Sequence, residues 1–487
     1  MSKKFLTAIC LATLAGSAVA QDAKTVIANA QKALGDIKSI TYSGSAKDVS
    51  FQQCGANSTQ MVCQGQHDPM RPINNYVRVI DVTAPLSRAV GDTNNQGGGG
   101  STTVAPGRFT QQVTPQQADT AQPWNNSLEL YITPWGFLKG AADNNATVGK
   151  SKGLTTLTWS PKVTAPSGKK YTITGYLNKQ NIPDRIETQF QDNIMGDMQI
   201  VATYTGWKDF GGVMAPAKIV QTRGNWPFFE VNVTAAKANP SDLATLAVIP
   251  PPPAGRGGAA PAGGGAPPAM VVTSEKLGDG LYRLTTGAGS YDSVIVEFKD
   301  YVMMLEAGQS IQRGEAYIAE TKKLIPNKPI RYVFVTHPHS DHTGGLPALM
   351  AEGATIITQK NNESFLFGAL NTPRTLMTDV FAKNPKKVKV EAFTEKKVYT
   401  DGTRTVEFYH VYPAPHNNGL SIAYIPKEKI LFQGDFSVNP GEPANDHVKA
   451  LGPVLDRLKL DYNRYINVHA SAAPQTKADV DKALGKK

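Results

Sequence analysis

The chain has 487 residues, 40% of them hydrophobic and 18% charged, too long for one ordinary domain and too apolar for wholesale disorder. Its formal charge of +10 comes from 50 basic against 40 acidic residues, a mild excess that reads as a solvated surface rather than a polyanion-binding face. Histidine is skewed: of 8 residues, only His67 precedes position 330.

Residues 1–20, MSKKFLTAICLATLAGSAVA, place Lys3 and Lys4 before an apolar run from Phe5 to Leu14 and end on Ala18-Val19-Ala20. That is the order of a secretory signal peptide, and the run is too short to span a membrane. A secreted or periplasmic protein starting near Gln21, with no transmembrane segment, is expected; a retained anchor is the alternative. In an oxidising compartment Cys54 and Cys63 can close a small disulfide loop, the alternative being two free thiols.

From 21 to 247 a stretch with helical spacing, AKTVIANAQKALG, precedes short alternating runs such as SITYSGSAKDV, LTTLTWSP, KYTITGYLN, MQIVATYTGW and FFEVNVTAAK. Pro183-Asp184 and Gly211-Gly212 supply turns, and the polar stretch DTNNQGGGGSTTVAPG is expected to be a loop. These signals predict a mainly antiparallel β domain with an N-terminal helix. The run YTGWKDFGGVMAPAKIVQTRGN resembles the strand repeat of outer-membrane lipoprotein-carrier-like domains. Residues 248–270, VIPPPPAGRGGAAPAGGGAPPAM, are too rich in Pro and Gly for helix or strand and read as a linker.

In residues 271–487 strand-like runs (LYRLTT, SVIVEF, YVMMLEA, YVFVT, TIIT) alternate with helical ones (GEAYIAETKKLI, NDHVKALGPVLDRL), the pattern of a layered α/β domain. Residues 333–345 read VFVTHPHSDHTGG. Extended backbone throws His337 and His339 to one side, and the turn that follows aims Asp341 and His342 at a second point nearby. Imidazole with carboxylate is the ligand set of zinc and related divalent ions. Downstream, His416 falls in a loop, Asp435 follows Gly434 at a strand end, and His469 follows a short apolar strand.

This series resembles the metallo-β-lactamase superfamily over roughly residues 272–480. The resemblance implies an αββα sandwich with a metal site at one edge of its two sheets. It places His337, His339 and His416 on a first ion and Asp341, His342 and His469 on a second, with Asp435 bridging. Two zinc ions are implied, iron or manganese being alternatives, and Asp341 would also orient the nucleophile. Three positions depart from the family pattern: Glu306 stands for the usual Asp, Asn417 follows the third ligand, and His469 sits in Asn-Val-His-Ala. Asp435 occupies the place of the Cys or Ser of zinc β-lactamases, as in glyoxalase II and lactonase-like hydrolases.

A divalent ion lowers the pKa of its water from about 15.7 toward about 7. The expected reaction is attack of the hydroxide so generated on an ester, thioester, lactone, lactam or related bond of a small-molecule substrate. Because the metal-bound hydroxide is itself the nucleophile, no serine nucleophile is required. The span from Asp435 to His469 lacks room for the inserted domain of nuclease relatives, so no nucleic acid partner is expected. Two other readings stay open: a periplasmic β-lactamase, and an envelope or lipid-binding protein with a degenerate hydrolase domain. His410 is assigned to its strand; His447 faces either solvent or the mouth of the site.

Overall fold

The structure, a computed structural model, describes residues 22–49, 70–96, 104–119, 121–246, 248, 270–287, 291–414, 416–438, 441–469 and 474–486. The expected signal peptide, Cys54, Cys63, His67 and nearly all of the linker lie outside the described residues.

The N-terminal half is an 11-stranded antiparallel sheet whose first strand, Ser39–Asp48, pairs with its last, Trp226–Ala238. A register shift next to Gly44 bends this pair, and a Cβ there would lie 1.9 Å from the Asn232 carbonyl oxygen, so only glycine permits the approach. Helix Ala23–Ala33 packs on helix Pro134–Asp143, which in turn lies on the sheet. Trp159 meets the rings of Trp124 and Tyr131 edge-on at centroid distances of 5.9 and 5.2 Å, filling the space beneath these helices.

Two features differ from the sequence-based expectation. Residues 128–143 hold two helices among the strands, Leu128–Tyr131 and Pro134–Asp143. Their signal is local: Thr133 accepts the Gly136 N–H as N-cap and Pro134 opens the first turn. The stretch expected as a loop is, where described, strand: Leu86–Gln96 and Val104–Val113 pair in unbroken register from Ser87↔Val113 to Gln96↔Val104. Backbone pairing at a sheet edge needs no apolar side chains, so polarity alone misleads there.

The C-terminal half is an αββα sandwich. A 7-stranded sheet runs from Thr273–Gly278 to Lys389–Phe393, antiparallel at first and parallel over its last three pairings. A 5-stranded sheet runs from Lys396–Thr400 to Arg464–Asn467. Between them Phe334 stacks on Phe408 at 4.3 Å within a cluster that includes Val294, Met303, Leu305, Ile357 and Ile466. Helices Ile311–Leu324, Leu346–Glu352 and Lys360–Leu370 cover the first sheet, and Asp446–Leu458 and Lys477–Ala483 cover the second. No helix among the described residues is long and apolar enough to cross a membrane.

One buried cluster runs through both halves, from Val26 to Val388. Polar contacts fix their junction. The buried Asp197 carboxylate accepts the Thr375 N–H at 2.9 Å, the Thr375 hydroxyl at 2.6 Å and the Leu376 N–H at 2.9 Å. Arg374 donates to the Asn193 carbonyl at 3.0 Å and pairs with Asp379 at 3.1 Å.

Candidate metal centre

The centre forms where strands of both sheets end on one edge. Strand Ile330–Phe334 runs into the segment carrying His337 and His339, and the short helix Ser340–Thr343 carries Asp341 and His342. Gly344 and Gly345 then let the next helix approach: added Cβ atoms would lie 2.1 Å from the Gln309 and 1.9 Å from the Ala307 carbonyl oxygens. His416 sits in the loop after strand Thr405–His410, Asp435 just past strand Ile430–Gln433, and His469 just past Arg464–Asn467. Gly434 is required by the same crowding, since its Cβ would stand 2.6 Å from Thr336 Oγ1.

These seven side chains converge as two groups, each with donor atoms within 4.8 Å of one another: His337, His339, His416 and Asp435, and Asp341, His342 and His469. In the first, His337 Nε2 lies 2.9 Å from His339 Nδ1 and 3.1 Å from His416 Nε2, and Asp435 Oδ2 lies 2.7 Å from His416 Nε2. In the second, the other oxygen of Asp435 lies 2.9 Å from Nε2 of both His342 and His469. Asp341 Oδ2 is 3.6 Å from His342 and 3.7 Å from His469. Asp435 thus directs one oxygen at each group.

The electrostatics suit cation binding. Burial, reinforced by the neighbouring imidazoles, holds His337 and His339 well below the usual histidine range, so both stay neutral with a lone pair to offer. Burial lowers the His342 pKa too, but Asp435, Asp341 and Glu306 outweigh it and the net shift is well upward. Burial raises the Asp435 pKa, and His342, His416 and His337 reverse that to well below the carboxylate range. A neutral imidazole carries a single N–H, so three ring nitrogens facing one another cannot all be satisfied by hydrogen bonds. Both His342 nitrogens are buried without a well-formed hydrogen bond, as is Glu306 Oε2. A donor set of imidazoles and carboxylates with such orphaned atoms fits divalent metal ions.

Glu306 is fully buried at φ +71°, a left-handed conformation that a non-glycine residue holds only under constraint. Its Oε1 accepts the Thr336 N–H at 2.7 Å, and its Oε2 stands 3.5 Å from His342 Nδ1. The longer side chain therefore reaches the ligand-bearing segment and its histidine together. Glu306→Gln is expected to lower metal affinity or kcat/KM by about 10–100-fold, the usual cost of an outer partner of a metal ligand. Metal titration and steady-state kinetics check this, and equal values in both proteins would rule the role out.

Three further residues at the centre escaped sequence reasoning or were left undecided by it. His447, buried in the first turn of helix Asp446–Leu458, places its ring 4.7 Å from that of His416. Burial and the His416 ring push its pKa down to about 4. Tyr291 presents its ring to His469 at 4.8 Å, and Tyr317 fixes it by donating to its carbonyl at 2.6 Å. Asn362 holds the His416 loop by donating to the Gly419 carbonyl at 2.8 Å. His410 supports the same loop through the Asn418 carbonyl at 2.8 Å and takes no place among the converging donors. Asn417 caps that turn by accepting the Gly419 N–H at 2.6 Å.

The family model described as the metallo-beta-lactamase superfamily matches residues 286–473, and this part of the chain is a metallo-β-lactamase-fold domain. Among solved structures the chain is similar to a metallo-beta-lactamase from Pontibacter korlensis, at 18% identity over 44% of this chain and 98% of that one, with a TM-score of 0.34. It is also similar to metallo beta lactamases from Erythrobacter litoralis (16% identity, 44% and 95% covered, TM-score 0.33) and Hirschia baltica (21%, 44% and 95%, 0.32). A search of curated proteins finds no match to the chain. The domain and its His/Asp groups support a metal-dependent hydrolase.

Proposed function

We propose that the protein is a dinuclear metal hydrolase of small molecules, with zinc as the first candidate metal and iron or manganese as alternatives. The observation that carries this is the placement of Asp435, one carboxylate oxygen toward each group of ligand side chains. His337, His339 and His416 would hold one ion, Asp341, His342 and His469 the other, and Asp435 both. When bound, such ions supply hydroxide at neutral pH and polarise the bond under attack.

The chain's own residues set the geometry for that chemistry. Glu306 orients His342, Thr336 Oγ1 lies 3.1 Å from His337 Nδ1 and fixes that ring, and Asn362 pins the loop of His416. Asp341, more open to solvent than the fully buried His342 beside it, would orient the nucleophile as well as bind metal. Ester, thioester, lactone and lactam bonds suit such a site. The order of residues 1–20 favours a periplasmic or secreted setting.

The test is metal content by plasma emission together with turnover of a panel: p-nitrophenyl acetate, a thioester, dihydrocoumarin and nitrocefin. Two equivalents of metal with turnover of ester, thioester or lactone are expected. Turnover confined to nitrocefin would favour a β-lactamase. Less than one equivalent and no turnover would favour a binding protein with a degenerate hydrolase domain.

A further inference from the structure

Between the two halves lies a cavity of about 310 Å³, walled by residues 191–194 on one side and by Gln309, Ser340 and Gly344 on the other. That size is at the lower end for small-ligand sites, which span about 300–1,000 Å³. Ser340 stands between His339 and Asp341, and Gly344 ends the helix that bears Asp341 and His342, so one wall is the ligand-bearing segment itself. The other wall is a β-hairpin tip from the N-terminal half, where strands Pro183–Asp192 and Gly196–Thr205 meet.

The hairpin is built to stay in place. Asp192 Oδ1 accepts the N–H groups of Ile194 and Met195, both at 2.9 Å, which closes the three-residue loop. Gly196 takes φ +58°, and a Cβ there would strike the Pro373 carbonyl oxygen at 2.4 Å. Asp197 and the Asn193 carbonyl then bind the 373–376 segment of the catalytic half. A wandering loop would need none of these contacts.

We propose that this cavity is the substrate-limb site of the hydrolase and that the hairpin tip, Asn193 above all, determines its specificity. The inference rests on the hydrolase reading above and deepens it. Most of the lining side chains carry amides or hydroxyls, with Ile194 the apolar exception. An alkyl limb would strip water from these groups without replacing its hydrogen bonds, whereas an amide or hydroxyl limb replaces them. The carboxylate of Asp192 disfavours an anionic limb. The substrate is thus a hydrolysable ester, thioester or lactone bearing a neutral hydrogen-bonding arm.

Two p-nitrophenyl esters of matched chain length test this, N-acetylglycinate and pentanoate, with the metal-loaded full-length protein. The ratio of their kcat/KM values is compared among wild type, Asn193→Ala and Gln309→Ala, which cancels the intrinsic reactivities of the esters. Each substitution is expected to lower the ratio by about 3–10-fold, the worth of one neutral hydrogen bond, with metal content unchanged. Ratios equal to wild type in both variants overturn the inference and leave the hydrolase reading standing. A change accompanied by loss of metal also overturns it, because the hairpin would then act only by supporting the centre. No turnover of either ester by metal-loaded wild type overturns this inference, while the hydrolase reading falls only with inactivity on the whole ester, thioester, lactone and nitrocefin panel.

Discussion

Replacing Asp435 with asparagine is expected to reduce bound metal to less than one equivalent and to lower kcat/KM by more than about 100-fold, beyond the upper cost of an outer partner of a metal ligand. The substitution keeps volume and shape, so packing is not the cause. Charge is. Oδ2 lies 2.7 Å from His416 Nε2 and 3.6 Å from His337 Nε2, while Oδ1 lies 2.9 Å from both His342 and His469. An amide turns one of those oxygens into an N–H donor, leaving one group of imidazoles without its carboxylate and presenting it with a repelling dipole. Loss from a single side is enough to break a shared site. Plasma emission on dialysed protein and kinetics on the best panel substrate are the measurements, and an Asp435→Asn protein that keeps two equivalents would refute the bridging role.

Asp197→Ala is expected to destabilise the folded protein by at least about 3 kcal/mol, since hydrogen bonds to a charged group contribute about 1.5–3 kcal/mol each and are not additive. The carboxylate takes three donors from residues 375 and 376, and its own N–H reaches the Pro373 carbonyl at 2.7 Å. Alanine removes both acceptor oxygens and strands two backbone N–H groups in a junction where Asp197 is only 6% exposed. Asp197→Asn keeps one acceptor oxygen and should lose roughly half as much. Urea unfolding followed by tryptophan fluorescence reads the difference, and coincident midpoints for wild type and Asp197→Ala would show that the junction draws its stability from apolar burial alone.

How much of this was legible in the sequence depends on how local the determining physics is. The spacing of His337, His339, Asp341 and His342 is set by a strand running into one helical turn, so their convergence follows from neighbouring dihedral angles. Capped helices and alternating strands are local in the same sense, and a layered α/β class follows from their order along the chain, whereas the αββα sandwich was implied by the family resemblance. The polar stretch of residues 92–107, expected as a loop and paired as strand where described, marks the boundary. Whether such a stretch pairs or loops into solvent depends on what its partner offers, and side-chain polarity carries no record of that.

The sequence by itself determined the candidate donors of the centre: five histidines and two aspartates in the segments that follow strands, with the glycines that let backbone approach them. Only the tertiary structure decided which atoms face which, because the donors come from segments more than a hundred residues apart. It assigned Glu306 to His342, brought His447 onto His416, and gave each oxygen of Asp435 its own group. It also seated the hairpin of residues 191–195 against the 373–376 segment and the metal-binding turn. That seat rests on hydrogen bonds between residues nearly 180 positions apart, whose partners no local pattern names and only the closed fold brings together.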